Sequence, residues 1–528
     1  MVLGLQTQVF AGQIYHVSPQ NPNSFVRAVR RAGPGDTVIL SGGTYRLGEV
    51  LIERRKGMGG ANGHYLTIKA APGEEPVLRG RRRFIIKADY VRVEGLHFVM
   101  PWRLEAFGTG LQIVNNKFTG PQPKYGAIEV GGRDVLIEGN FIKYSDIAGN
   151  TRDHGIYVHK GQRITLRNNT IIGTKGYGIH VFDEQKSAKP RDWAAHPFAI
   201  KDYVLENNFV SGSQSRSGII IAKGRGGRHI KLENITIRNN ILVGNAEFGL
   251  YIREGKNITV YNNTFYNNRS TAFFVKEPAK GSEPVSHVTI KNNIFIGRAH
   301  VRNKSTGQSI VLENNLYNTG PRLQGITDAK QRVGDPRFVD TEAYDFRLQK
   351  SSPAIDAGIH VGLPFTGSAP DLGALEFGSS APKWNSLQRL AAKSAKPIST
   401  ILTSQDTPKT ELGSGKGTAY GTSDAKTHAV KGGLISFKAY IANKTVILNW
   451  QTTSGSGHRG FDIERRGIGT DFVKVGFVKA NAASTSKQGH SYQYLDEGLQ
   501  PGTYAYRLKQ VRQNGSFELL AIVKINTN

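Results

Sequence analysis

Two histidines and a tyrosine alternate with apolar residues in one short stretch, Asp153–Thr170, which reads DHGIYVHKGQRITLRNNT. Imidazole exchanges protons near neutral pH, and a phenol can do so where nearby cations stabilise its anion. The β-branched residues between them favour a strand, in which alternate side chains point to opposite faces. We therefore ask whether His154, Tyr157 and His159 form an acid–base site, and which elements would hold them together.

Six segments of the chain share one alternating pattern after a glycine or alanine. They are AIEVGG from Ala127, GIYVHKG from Gly155, GIHVFDE from Gly178, GIIIAKG from Gly218, GLYIREG from Gly249 and AFFVKEP from Ala272. Their apolar positions, such as Ile156 and Val158, must face a core. The intervening positions form a column that we expect to face solvent: Glu129, Tyr157, His180, Ile220, Tyr251 and Phe274. The next column contains Gly131, His159, Phe182, Ala222, Arg253 and Lys276.

Asparagines recur along the same part of the chain. They are Asn116, Asn140, Asn169, Asn208, Asn240, Asn263, Asn293 and Asn315, at spacings of 24, 29, 39, 32, 23, 30 and 22 residues. A constant minimum spacing with a variable excess is typical of a repeated structural unit with loop insertions. We interpret these asparagines as structural, because asparagine tolerates left-handed turns and stacked amides can hydrogen-bond from unit to unit.

The repeat predicts an all-β fold, a right-handed parallel β-helix. The minimum of 22 residues accommodates three short strands and three turns, and each coil would bury its inward residues against the next. Adjacent coils would lie about 4.8 Å apart, so the outward columns would bring titratable groups together. The predicted catalytic residues are His154, Tyr157, His159, His180 and Arg253, and the predicted substrate-binding residues are Glu129, Asp183, Trp193, Lys223, Tyr251 and Lys276.

Such a set suits chemistry on an acidic sugar polymer. Removing the C5 proton of a uronic acid requires a base such as His or Tyr, and a cation such as Arg or Lys to neutralise the neighbouring carboxylate. Protonating the leaving oxygen gives β-elimination, whereas reprotonating C5 from the other face gives epimerisation. Hydrolysis would need two carboxyl groups at a defined separation, for which Glu129, Asp153, Asp183 and Glu254 are candidates without forming a tight cluster.

Metal binding is a further alternative. His154, His159, His180 and Asp183 could hold a metal, although no HExxH-like spacing supports this. Calcium could bind through Asp153, Asp183, Glu129 or Glu254. We expect either no required cofactor or calcium.

The C-terminal part of the chain has a different composition. We place the β-helix at residues 1–378, a linker rich in Ser, Thr, Gly, Lys and Pro at 379–432, and a small β-sandwich at 433–528. Six or seven short strands are predicted in the last segment, with Trp450 and Tyr506 in its core.

The bulk composition limits the choice of partner. The formal net charge is +28, with 69 Lys and Arg residues and no cysteine. This excess attracts polyanions, but no basic run resembles a DNA-reading helix, so we expect an acidic polysaccharide and no nucleic acid. No apolar stretch reaches the length of a membrane span. We expect a monomer that does not associate with membranes.

Several phrases resemble known families. AGPGDTVILSGGTY, YLTIKAAPGEEPVLRG and DYVRVEGLHF resemble the parallel β-helix polysaccharide lyases and related carbohydrate-active proteins, and SSPAIDAG with PDLGALEFG resembles the closing segment of exported bacterial β-helix proteins. VILNWQT, GFDIERR and YAYRLKQV resemble fibronectin-type modules of proteins secreted by Bacteroidota-like bacteria. The resemblance implies an extracellular polysaccharide lyase, with a uronate C5-epimerase, a glycoside hydrolase and a non-catalytic carbohydrate-binding solenoid as alternatives.

Overall fold

A computed structural model provides the structure of the chain, which divides into two compact units, residues 1–401 and 402–528. The structure describes residues 12–53, 59–61, 63–80, 83–99, 103–121, 125–146, 153–183, 200–223, 232–276, 284–307, 309–380, 434–442, 445–452, 458–467, 472–480, 490–496, 499, 502–512 and 517–526. Most of the predicted linker lies outside these residues, and the predicted domain boundaries stay predictions.

The first unit is a parallel β-helix, as predicted. In its described part, 21 strands form one sheet: β1 (Ile14–Val17), β2 (Thr37–Leu40), β4 (Val50–Glu53), β5 (Leu66–Ala70), β7 (Arg83–Lys87), β8 (Val91–Glu94), β10 (Arg103–Thr109), β11 (Gln112–Val114), β13 (Gly126–Glu138), β15 (His154–Arg167), β17 (Ile179–Asp183), β18 (Ile200–Glu206), β20 (Ile219–Lys223), β21 (Leu232–Arg238), β23 (Phe248–Ile252), β24 (Lys256–Tyr261), β26 (Thr271–Val275), β27 (Ser286–Lys291), β29 (Val301–Asn303), β30 (Ile310–Glu313) and β32 (Leu323–Gln324). A second sheet contains, over the same described residues, 12 strands: β3 (Gly43–Leu47), β6 (Pro76–Gly80), β9 (His97–Val99), β12 (Lys117–Pro121), β14 (Phe141–Asp146), β16 (Thr170–Ile172), β19 (Phe209–Ser211), β22 (Ile241–Val243), β25 (Thr264–Tyr266), β28 (Ile294–Ile296), β31 (Leu316–Tyr317) and β33 (Arg332–Val333).

The larger sheet contains two rows of strands, each strand paired in parallel with its counterpart in the next coil. One row, which we call the site row, runs through β7, β10, the first half of β13, the first half of β15, β17, β20, β23, β26, β29 and β32. Alternation along these strands buries inward residues such as Ile156 and Val158 completely. The buried apolar side chains of successive coils form one continuous core, which stabilises the solenoid.

An amphipathic helix covers the start of the core. Helix α1 (Pro22–Arg31) begins with proline in its first turn, where the missing N–H does no harm, and ends with Arg30 and Arg31, whose charges suit a helix C-terminus. Its apolar face buries Phe25, Ala28 and Val29 against the first strands.

The recurring asparagines form a continuous hydrogen-bonded ladder. Asn208 illustrates the pattern: its Nδ2 donates to Oδ1 of Asn240 (2.9 Å) and to the Leu166 carbonyl (2.8 Å), and its Oδ1 accepts from Asn169. The residue before each ladder position carries the left-handed backbone, as at Asn207 with φ 54°. Asparagine thus performs the two predicted roles at two adjacent positions, one in the turn and one in the ladder.

The asparagine ladder ends on a carboxylate. Asp328 Oδ2 accepts hydrogen bonds from Asn315 Nδ2 (2.8 Å) and the Tyr317 hydroxyl (2.8 Å). A two-stranded antiparallel sheet, β34 (Phe338–Asp340) and β35 (Asp345–Leu348), follows. Phe346, together with Ala374 in the segment after it, packs on the outside of the β-helix against Phe209 and Ile241.

The second unit consists of two small antiparallel sheets, in agreement with the predicted sandwich. Its described strands are β36 (Leu434–Ala442), β37 (Thr445–Thr452) and β40 (His490–Asp496) in one sheet, and β38 (His458–Arg466), β39 (Val473–Lys479), β41 (Thr503–Arg512) and β42 (Phe517–Asn526) in the other. Trp450 and Tyr506 are buried in its core, as predicted. Its likeness to fibronectin modules stays a prediction.

Candidate active site

The register of the site row places the predicted column side by side. Glu129 pairs with Tyr157, and Tyr157 pairs with His180 on the next coil. The same column continues through Ile220, Tyr251 and Phe274. The stacking of coils predicted from the glycine turns is therefore confirmed residue by residue.

The expectation that this column faces solvent is wrong for most of its members. Tyr157 is 2%, His180 7%, Ile220 1% and Phe274 9% exposed, although they point away from the β-helix core. The rings cover one another: Tyr157 stacks on His180 with centroids 4.8 Å apart, and His154 meets His180 edge-on at 4.3 Å. Alternation alone predicts that these side chains are exposed to solvent. Instead, aromatic rings on neighbouring parallel strands pack against one another and bury the column.

His159 has a carboxylate partner, which neither His154 nor His180 has among the side chains that the structure describes. Its Nε2 lies 2.7 Å from Oε1 of Glu129, and the two side chains are 20% and 14% exposed. The register between β13 and β15 shifts by one residue at this point, and such a bulge re-aims a side chain. The His159 ring lies 4.1 Å from the Tyr157 ring and 5.9 Å from Phe107. His159 and Glu129 thus form the most accessible part of the cluster, and the buried ring of Tyr157 adjoins His159.

His159 and two arginines keep the Glu129 carboxyl ionised. Burial alone would raise the pKa of Glu129, but the hydrogen bond and charge of His159, with the charges of Arg103 and Arg83, lower it below its ordinary value. Arg103 lies 3.7 Å from Glu129 and also pairs with Glu105. A lowered pKa suits a carboxylate that supports an imidazole and does not suit a general acid.

His154 and His180 are held in the neutral form. Burial, with the charges of Arg216 and His159, lowers the pKa of His154 to about 3. The Tyr177 amide donates to Nδ1 of His154 (3.0 Å), which leaves the proton of the neutral ring on Nε2. Burial also lowers the pKa of His180 well below its ordinary value, and its Nδ1 has no hydrogen-bond partner among the residues that the structure describes.

Cations lie on the side of the cluster toward the later coils. Arg253 follows β23, and its charge lowers the pKa of His180 further, after burial and the neighbouring histidines. Arg216, in the turn before β20, pairs with Glu247 (3.1 Å). Burial raises the pKa of Tyr251 to about 12, so its phenol stays protonated. The predicted Arg253 and Tyr251 therefore border the cluster of histidines.

The remaining predicted residues are placed in part. Lys276 follows β26, where its amide donates to the Ile252 carbonyl (2.9 Å), so it lies four strands beyond β15 in the site row. The backbones of Asp183 and Lys223 pair across β17 and β20, but the structure does not describe their side chains. Trp193 lies outside the described residues altogether.

Sequence reasoning missed several residues of the site. Tyr177 stacks within 4.8 Å of His180, and Arg216 acts on both buried histidines. Tyr177 directly precedes Gly178, and Arg216 lies two residues before Gly218, where two of the aligned segments begin. The predicted Asp153 and His154 occupy the matching turn position, so extending the alignment two residues toward the N-terminus would have included them.

Two further observations concern ions and membranes. Within the described ranges, no three His, Asp or Glu side chains are grouped so that they could hold a metal ion. The described helix is too short and polar to span a bilayer.

Comparisons with known proteins agree with the strand topology. Residues 104–192 and 154–323 match the family model "Right handed beta helix region". Pectate lyase L of Dickeya chrysanthemi is 23% identical over 418 residues, which cover 70% of this chain and 92% of that protein.

Solved structures with some likeness include two polysaccharide lyases. PL6 family alginate lyase AlyGC has a TM-score of 0.35 and 16% identity. The match covers 62% of this chain and 54% of that enzyme. The PL6 family polysaccharide lyase Pedsa3628 of Pseudopedobacter saltans has a TM-score of 0.39 and 14% identity, covering 64% of this chain and 97% of that one. By its family-model match, its strand topology and its pectate lyase relative, the chain is a right-handed parallel β-helix protein that resembles polysaccharide lyases.

Proposed function

We propose that the protein cleaves a uronic-acid-containing polysaccharide by β-elimination. The observation that carries this proposal is the pair of His159 and Glu129, which adjoins a phenol and two neutral imidazoles on one wall of the β-helix. Clusters of strongly interacting titratable groups mark functional sites more often than other surfaces. The relation to pectate lyase L supports the same class of chemistry.

His159 is assigned the removal of the C5 proton. It is the most exposed of the three clustered histidines, and the ionised Glu129 stabilises the imidazolium that forms when the ring takes up a proton. The neutral forms of His154 and His180 keep further positive charge from opposing this step. The electron pair released from C5 forms the new double bond to C4, and the bond from C4 to the leaving oxygen breaks.

Tyr157 is assigned the return of a proton to the leaving oxygen. Its ring lies between those of His159 and His180, so the phenolate left behind can regain a proton from the His159 imidazolium. The Tyr157 hydroxyl is buried in the free protein, and this assignment requires the polymer to gain access to it on binding.

Cations along the site row are assigned to the carboxylates of the polymer. The charge of Arg253 acts on His180, and Lys276 lies one strand beyond Arg253. Lys223 and Trp193 stay proposed contacts on the basis of the sequence. The net charge of +28 favours association with an acidic chain. Because such polymers are too large to enter cells, we also propose that the protein acts outside the cytoplasm, as a monomer.

Hydrolysis is less consistent with this geometry. Glu129 is bound to His159, and Glu105 is paired with Arg83 at 3.0 Å, so neither carboxyl is set to donate a proton. Epimerisation shares the first step with elimination and differs only in where the second proton goes.

A product analysis distinguishes these reactions. The full chain is incubated with alginate, pectate, glucuronan and glycosaminoglycans, and products are identified by mass spectrometry and NMR. We expect shortened chains with unsaturated ends from at least one polymer. Altered sugar ratios without shortening would indicate an epimerase, shortening with saturated ends a hydrolase, and binding without any product a carbohydrate-binding solenoid. Each of these three results would overturn the proposal.

A further inference from the structure

A second basic feature lies on the same wall, toward the C-terminal coils. A cavity of about 550 Å³ is bordered by strands β26, β29 and β32 of the site row and by the turns before them. Its lining includes four arginines, Arg269, Arg298, Arg302 and Arg322, and contains no acidic residue. None of these arginines was a predicted site residue.

The charges of this pocket are not compensated by the part of the chain that the structure describes. No described Asp or Glu forms an ion pair with any of the four arginines. Nε of Arg302 is buried without a hydrogen-bond partner among the same residues, and the guanidinium lies 5.9 Å from the ring centre of Phe274. Uncompensated buried donors of a cation favour an anionic ligand.

The pocket is organised before any ligand binds. The Arg322 side chain donates to the Arg298 carbonyl (2.9 Å), and its amide donates to Nδ1 of His300 (2.9 Å). His300 is fully buried, and burial lowers its pKa, so the neutral ring acts as an acceptor. Fixed arginines lose less conformational freedom on binding than mobile ones.

The register connects this pocket with the histidine cluster. From Tyr157 the same outward column passes through His180, Ile220, Tyr251 and Phe274 to Arg302. Five strand spacings separate the two ends, or about 24 Å at about 4.8 Å each. Between them, Tyr251 and Phe274 stack with ring centres 5.2 Å apart, and the half-buried Tyr251 offers its ring edge on the way.

We propose that this arginine pocket is a distal subsite that binds anionic groups of the acidic polysaccharide whose chain also occupies the histidine cluster. The inference rests on the proposed function for its choice of ligand. It predicts that long chains bind better than short ones, because only long chains reach both places. The bidentate donors of Arg302 and Arg322 suit carboxylate or sulfate groups.

The test measures binding, not turnover, with the full-length protein. Heparin and polygalacturonate, each as a long-chain and a trisaccharide fraction, are titrated by calorimetry into wild type and the double variant Arg302→Gln/Arg322→Gln. The matched control is Arg46→Gln/Arg79→Gln, which removes two exposed arginines that are adjacent across β3 and β6 on another wall. Both double variants change the net charge equally.

We expect the Arg302/Arg322 variant to bind long chains about tenfold more weakly than wild type does, because two charge-assisted contacts are lost. Its affinity for long chains should then be no higher than its affinity for the trisaccharide. The control should retain the wild-type affinity. Equal weakening in both double variants would reveal a general charge effect and overturn the inference. The inference would also be overturned if the Arg302/Arg322 variant kept the wild-type affinity, or if wild type did not bind. A lack of unsaturated products would overturn the proposed function alone and leave the pocket as a polyanion site.

Discussion

Three histidines lie within one cluster, yet their surroundings assign them different tasks. His159 reaches solvent and contacts an ionised carboxylate, whereas His154 and His180 are 4% and 7% exposed and neutral. Taking a proton from the substrate would leave His154 or His180 charged, and their burial disfavours the charged form. Removal of the C5 proton is therefore assigned to His159, and its two neighbours are assigned to holding the ring of Tyr157, the proposed acid.

Replacing Glu129 tests the role of the carboxylate. Glu129→Gln keeps the size of the side chain but removes the charge that stabilises the His159 imidazolium, so we expect kcat to fall about 100-fold, the lower limit usual for acid–base catalysis. Steady-state kinetics on the accepted polymer measures this, with Glu342→Gln, an exposed surface change, as the control. A kcat equal to that of the control variant would contradict the assignment.

The buried histidines make stability depend on pH. Their folded-state pKa values lie below the unfolded value, so the unfolded chain binds more protons at intermediate pH. Their contribution is complete above about pH 6.5 and is lost as pH falls toward the folded pKa, which is about 3 for His154. The slope is at most about 1.4 kcal/mol per pH unit for each histidine.

His180→Phe should reduce that slope. Phenylalanine preserves the stacking on Tyr157 but does not titrate. As the pH falls from 6 to 4, a range below the unfolded pKa of about 6.5, the free energy of unfolding should therefore decrease less steeply than in wild type. Denaturant titrations at several pH values measure it. An unchanged slope would show that His180 is not held neutral in the folded protein.

Side chains in strands were easier to predict than those in turns. Period-two alternation fixed which residues share a column, so Glu129, Tyr157 and His180 could be placed together from the sequence. Tyr177 and Arg216 escaped notice because turn residues follow no such period. The burial of Tyr157 was missed because it depends on contacts with neighbouring rings, those of His154 on the same strand and His180 on the next coil.

Strands and turns of the β-helix are kept in register by the asparagine ladder. Each ladder asparagine satisfies groups on both neighbouring coils, as Asn208 does with Asn169 and Asn240. The spacing of asparagines predicted these positions because the hydrogen bonds require the same residue at the same place in every coil. The bulge that re-aims His159 has no comparable sequence signal, since one additional residue does not disturb the pattern.

Removing one rung should destabilise the β-helix. Asn208→Ala deletes the buried amide and leaves groups of Asn169, Asn240 and Leu166 without partners, so we expect a loss of about 3 kcal/mol or more in the free energy of unfolding. Chemical denaturation followed by circular dichroism measures it. The exposed Asn23→Ala in helix α1 serves as the control, and equal stability of the two variants would contradict the structural role of the ladder.

The whole chain combines two units with separate cores. The β-helix core and the core around Trp450 belong to different clusters of buried residues. The change in composition predicted this division, because a segment rich in Ser, Thr, Gly and Lys has few side chains to bury. The linker bounds of 379 and 432 and the acidic substrate were inferred from composition and side-chain chemistry, since neither follows from periodicity.

The division predicts that the β-helix acts alone. A chain ending at residue 380 should fold and retain the rate of the full chain, because every proposed catalytic side chain lies before that point. Circular dichroism and product formation per mole of protein are compared with those of the full chain. A folded truncated protein without activity would show that the second unit contributes to the reaction.

The central claim is that His159 removes a proton from C5 of a uronate and so starts β-elimination. The most direct measurement is the initial rate at which unsaturated ends absorb in the ultraviolet, for wild type, His159→Gln and the exposed control His16→Gln, on the polymer that wild type accepts. We predict a steady rise for wild type and for the control, and a rate at least about 100-fold lower for His159→Gln, with an unchanged circular dichroism spectrum. A folded His159→Gln variant with the wild-type rate would contradict the claim.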